Sequence, residues 1–101
     1  MNDTYSEKLI KDVNENDKKV AISGVIISKE ENSVVIDDGS SKIAIFFDQM
    51  NVPDAKYVRV FGRVIPYQEG LQVQADIIQD LSNINYELYK KMIGMMKERA
   101  L

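Results

Sequence analysis

From Tyr57 to Met96 the chain reads YVRVFGRVIPYQEGLQVQADIIQDLSNINYELYKKMIGMM. Two alternating, β-branched segments flank Gln68-Glu69-Gly70, and an amphipathic segment follows at once. Period-two alternation predicts two strands joined by a tight turn. The pattern after Asn83 predicts a helix, capped by Asn83 or Asn85 and running to about Arg99. This order of elements favours an interaction module over an enzyme.

Three more strands are predicted upstream. The segment from Lys19 to Ile27 is β-branched and apolar, with Gly24 inside it. A glycine within a strand marks a bulge or a sharp bend. A small closed barrel needs such a bend, because one strand must serve two sheets. Glu30-Glu31-Asn32-Ser33 is a turn, Val34 to Ile36 a second strand, Asp37 to Ser41 a turn with Gly39 free for φ > 0, and Lys42 to Phe47 a third strand. Asp48 to Lys56, with Pro53, is a loop. The fourth strand is Tyr57 to Ile65, ended by Pro66, and the fifth is Leu71 to Ile78.

The expected fold class is all-β with a C-terminal helix, built on a five-stranded Greek-key barrel. The expected organisation is an N-terminal arm over 1–18, a barrel over 19–82 and an oligomerisation helix over 83–101. In the arm, Leu9, Ile10 and Val13 are the clustered hydrophobes, enough for one docked helical turn.

Alternation also assigns faces. Ile43, Ile45 and Phe47 point inward, as do Val58, Val60, Gly62 and Val64, and then Leu71, Val73, Ala75 and Ile77. Lys42, Phe46, Arg59, Phe61 and Arg63 point outward and form a basic, aromatic surface. Single-strand binders combine aromatic faces for base stacking with positive charge along the backbone path. Phe46 and Tyr67 are the candidate stackers. Lys42, Arg59, Arg63 and Lys56 are the candidate phosphate contacts. The same aromatic residues also fit a protein interface, with about even weight.

On a helical wheel Ile84, Tyr86, Leu88, Tyr89, Met92, Ile93, Met95 and Met96 cover an arc of roughly 200°, twice what plugging a barrel end requires. The expected consequence is a partner helix on the surplus face, met by Tyr89, Met92, Ile93 and Met96. Three Met residues suit an adaptable surface.

The net charge of the 101 residues is −3, which does not favour nucleic acid on balance. Nine acids face five bases between Val20 and Asn83, while four bases face two acids after it. Local placement is what counts for phosphate binding. With no Cys and no His, disulfides, thiolate metal sites and the commonest general base are excluded. There is no Gly-rich phosphate loop and no nucleophile elbow. Glu30-Glu31 and Asp37-Asp38 read as solvated loop acids, and Asp37-Asp38-Gly39 as a tight turn, not a calcium loop. No enzyme, cofactor, metal or small-molecule substrate is expected. No apolar run nears the roughly 20 residues of a membrane span, and no signal peptide is evident, so a soluble intracellular protein is expected.

The chain resembles the oligonucleotide-binding (OB) domain of the middle subunit of replication protein A, the single-strand DNA-binding complex of eukaryotes and archaea. The resemblance runs from about Lys19 to Met96. It rests on VAISGVIIS, VVIDDGSSKIAIFFD, YVRVFGRVIPYQ and LQVQADII followed by the helix. The order and spacing carry it, above all IDDG before a strand ending in aromatic-X-Asp, then YVRVFG and YQ. It implies an OB-fold barrel that binds single-stranded DNA in replication, repair or recombination. It implies stacking at Phe46, two residues before Asp48, and at Tyr67, just before Gln68. It further implies assembly with other subunits, or with itself, through Tyr86 to Arg99. The stripped-down chain is most like an archaeal accessory subunit, placed with the nucleoid, or in the nucleus if eukaryotic. Two alternatives stand beside this reading. One is an OB-fold adaptor that joins larger subunits without touching nucleic acid. The other is an RNA- or tRNA-binding barrel.

Overall fold

A computed structural model describes residues 4–48, 52, 54–82 and 91. Six strands follow in order: β1 (Ser6–Glu7), β2 (Lys19–Lys29), β3 (Ser33–Asp37), β4 (Lys42–Phe46), β5 (Tyr57–Tyr67) and β6 (Gly70–Asp80). A 3-10 turn at Ile10–Asp12 lies between β1 and β2. The strand order is β1-β2-β3-β4-β6-β5, and β5 pairs back onto β2, which closes the barrel. The meander β2–β3–β4 is antiparallel, and β4 meets β6 in parallel through Ala44 to Phe46. This is a Greek-key barrel of the OB type.

The core follows from the alternation. Val20, Ile22, Val34, Ile36, Ile45, Val58, Val60 and Val73 are fully buried, and Ile43, Phe47 and Ala75 nearly so. Ile10, from the 3-10 turn, joins the same cluster.

Gly24 makes closure possible. Residues Lys19 to Val25 pair with β5, and from Val25 onward β2 pairs with β3. Val25 stands opposite both Tyr57 and Asp37, so the strand switches sheets there. A Cβ at Gly24 would lie 2.8 Å from the Asp37 carbonyl oxygen, so only glycine permits this approach. Farther on, a bulge between Ile26 and Ser28 leaves Ile27 without a partner and 51% exposed.

A second bulge corrects the expected faces of β6. Phe61 pairs with Ile77 and the next residue, Gly62, pairs with Ala75, leaving Asp76 as the extra residue. The alternation therefore slips by one. Ile77, expected inside, is 52% exposed, and Ile78 packs on the core instead. Nor does Pro66 end β5. The strand continues to Tyr67, because Pro66 pairs with Leu71 beside the hairpin-closing pair Tyr67–Gly70. In an antiparallel ladder, neighbouring pairs alternate between bonded and non-bonded, so its missing N–H costs no rung there.

The elements of the described residues do not include the expected C-terminal helix. Among the described residues the elements are six strands and one 3-10 turn, and the fold class is corrected to all-β. Here strand pairing closes the barrel, and Ile10 and Phe47 fill its core from outside the paired strands. The segment 83–101 lies outside the described residues apart from Lys91, and with it the partner-contact candidates Tyr89, Met92, Ile93 and Met96.

Candidate nucleic-acid interface

Outward positions of the central strands line up by register. Phe46 on β4 stands opposite Gln74 on β6, and Gln74 stands opposite Arg63 on β5. One step along, Ala44, Gln72 and Ile65 form the next row. Tyr67 lies two residues beyond Ile65 on the same face of β5, at the start of the hairpin.

The two candidate stackers meet. The Phe46 and Tyr67 rings lie 6.2 Å apart, tilted by 47°. This is within the range of interacting aromatic pairs. Tyr67 is 52% exposed, while Phe46 is half-buried between its strand neighbours. Together they make one aromatic step at the β5–β6 hairpin. Gln68, the first residue of that hairpin, has φ of 54°, a conformation glycine tolerates far better.

The candidate cations are not equivalent. Lys42 is exposed at the start of β4, opposite Asp37. The Arg63 side chain is also largely open and lies 3.3 Å from the Asp76 carboxylate, a weak surface pair. Lys56 is exposed just before β5. Arg59 is engaged. Its guanidinium is paired with Glu7 of β1 and lies 4.9 Å from the centre of the Phe61 ring. Phe61 in turn meets Tyr5, whose ring stands edge-on to it at 5.3 Å and 72°. Tyr5 donates its hydroxyl to Asp76 Oδ2 at 2.8 Å, and Lys19 Nζ sits 5.4 Å from the Tyr5 ring. The N-terminal arm therefore covers the Arg59–Phe61 half of the expected surface.

Tyr5, Glu7, Lys19 and Asp76 escape the sequence reading. Tyr5 and Glu7 are two residues apart, the spacing of one strand face, but β1 is too short to show alternation. Asp76 reaches this cluster from the bulge.

The arm is fixed from below by Asp38, which is buried although it reads as a solvated turn acid. Its Oδ2 accepts the Ile10 N–H at 2.8 Å, and its Oδ1 accepts from the Ser40 N–H at 2.9 Å and the Ser40 hydroxyl at 2.6 Å. Beside the Tyr67 hairpin, a cavity of about 550 Å³ is lined by Val13, Glu15, Pro66, Glu69 and Leu71. Glu15 and Glu69 make it hostile to phosphate, which bounds the aromatic step on that side. Among the described residues no cluster of acids is arranged to hold a metal ion.

No protein-family model matches the chain. No curated protein matches it either. Solved structures do. The chain is similar to a chain of the S. pombe Stn1–Ten1 complex, at 20% identity and a TM-score of 0.73, over 95% of this chain and 94% of that one. It is similar to the telomere capping protein Ten1 of S. pombe, at 20% identity and a TM-score of 0.72, over 94% of this chain and 99% of that one. A hypothetical protein from E. coli, ygiW, follows at 18% identity and a TM-score of 0.57, over 73% of this chain and 88% of that one. At these identities the likeness is one of fold.

Proposed function

We propose that this chain is a non-enzymatic single-stranded DNA-binding subunit of a replication protein A-like complex. The observation that carries the reading is the meeting of Phe46 and Tyr67 at 6.2 Å on the outer face of the barrel. Two adjacent, partly open rings beside open cations are what sequence-tolerant stacking requires, and such stacking contributes about 1–3 kcal/mol per base. Phe46 and Tyr67 take bases, and Lys42 and Arg63 meet phosphates. The likeness to Ten1, a telomere capping protein also solved as the Stn1–Ten1 complex, supports a role in a multi-subunit assembly on DNA. It supports the nuclear setting over the archaeal one.

The test is fluorescence anisotropy of labelled oligo-dT with the whole chain at low and moderate salt. Binding is expected to weaken with salt along a shallow slope, because few phosphates are neutralised. Phe46→Ala and Tyr67→Ala are each expected to weaken it by about tenfold or more. Intact binding in the double variant would remove the site assignment.

The adaptor reading has one observation in its favour: Arg59 and Phe61 are engaged by the arm and only partly open to solvent. It is the better reading if the chain binds no oligonucleotide at low salt while still joining a partner subunit.

A further inference from the structure

The outer face of β5 is a single stripe: Arg59, Phe61, Arg63, Ile65 and Tyr67. At roughly 3.3 Å per residue it spans about 26 Å. Aromatic and cationic side chains alternate along it, with Ile65 as the one aliphatic step. Only the Tyr67 end is open. From Tyr5 to Glu7 the arm lies over the other end.

The chemistry of this cover resembles that of a nucleotide. An aromatic ring on Phe61 and an anion on the Arg59 guanidinium are the two contacts that a base and its phosphate make. Tyr5 supplies the ring and Glu7 the carboxylate. The backbone pairing of the cover is short. β1 is two residues long and pairs with β2 only at Val20 and Ala21. The hydrophobic anchor of the arm, Ile10, comes after it and is held separately by Asp38.

We propose that Phe61 and Arg59 form a covered second half of the single-strand site, and that Tyr5 to Glu7 are an internal competitor for it. A short strand binds the Phe46–Tyr67 step and leaves the arm in place. A longer strand runs along β5, displaces Tyr5 and Glu7, and stacks on Phe61 while Ile10 stays seated. The inference rests on the reading of Phe46 and Tyr67 as the open half.

The test compares labelled oligo-dT of about 4 and about 16 nucleotides, the limits of site size for one such barrel. Glu7→Gln in the whole chain is expected to tighten the long strand by about fivefold, the scale of one partly exposed ion pair, and to leave the short strand unchanged. Tyr5→Ala with Glu7→Gln should extend that difference, with thermal unfolding confirming that both variants fold. Hydrogen exchange of the wild-type chain gives a readout free of mutation. The Lys8 amide, bonded to the Ala21 carbonyl at 3.1 Å, should exchange faster with the long strand and not with the short one. Equal or weaker long-strand binding in folded Glu7→Gln protein, or unchanged Lys8 protection, overturns the proposal. Failure of the underlying reading looks different, because the wild-type chain would then bind neither length.

Discussion

Asp38 Oδ2 accepts the backbone N–H of Ile10 at 2.8 Å, across 28 residues of chain, inside a buried pocket. One carboxylate thus holds both the β3–β4 turn and Ile10, which the arm places in the core. Asp38→Ala leaves the Ile10 N–H and the turn donors without their acceptor. The expected loss is about 1–3 kcal/mol in urea unfolding. Asp38→Asn keeps one acceptor oxygen but turns a donor toward the other site, so its loss should lie between wild type and the alanine variant.

Gly24→Ala tests the switch of β2 between two sheets. The added methyl meets the Asp37 backbone, which cannot rotate away as a side chain would. A loss of about 1–3 kcal/mol is expected in chemical denaturation, as for other overpacked sites. Wild-type stability in this variant would mean that the strands do not approach so closely.

Ile77 and Ile78 should exchange the roles that simple alternation gives them. Ile77→Lys is expected to change stability by less than about 0.5 kcal/mol, as at an open surface position. Ile78→Ala, against the core, should cost about 1–3 kcal/mol, below the full-burial range. The opposite ranking would place the bulge elsewhere than at Asp76.

Gln68→Gly replaces a residue held at φ of 54°. A left-handed conformation costs a residue with a Cβ about 1–2 kcal/mol, partly offset by the greater freedom glycine loses on folding. The variant should match wild type or exceed it by up to about 1 kcal/mol, read from the thermal midpoint.

Asp17 gives the arm an acid limit. Burial pushes its carboxyl pKa up, but the Lys8 ammonium, bonded at 2.8 Å, and the Asn14 N–H outweigh it and hold it below its ordinary value of 3.8. A carboxylate lowered on folding stabilises fully above its unfolded value, and that contribution is lost as pH falls through the folded one. Stability should therefore drop below about pH 4, and Lys8→Met should flatten that drop by less than about 1 kcal/mol. Urea midpoints at pH 7 and pH 3 would measure both.

The barrel was legible where one face is apolar without interruption. Val58, Val60 and Val64, like Ile43, Ile45 and Phe47, reveal their side because a one-residue slip would turn every one of them outward. The reading failed at Ile77, because a bulge changes the phase without changing the composition. Asp38 was read as solvated because an acid in a turn gives no sign of which distant N–H it will meet. For the interface, Phe46 stands out as a strand aromatic left over from the core, and Tyr67 as an aromatic next to the turn between the last two strands. The engagement of Arg59 and Phe61 could not be read, since it depends on Tyr5 and Glu7, and tertiary packing places them beside β5.

The switch of β2 at Val25 also bears on how the chain is made. The edge of its first half that pairs with β5 stays open until β5 arrives, with only β1 on the other edge, and Lys19 lies opposite Arg63. During synthesis, at about 5–20 residues per second, β2 must wait for seconds with an apolar face and an open edge after the meander has emerged. Barrel closure is therefore a late, non-local event, which puts folding in the class of about milliseconds to seconds. The nascent chain is most exposed to misassociation in that interval, before Gly24 has anything to bend around.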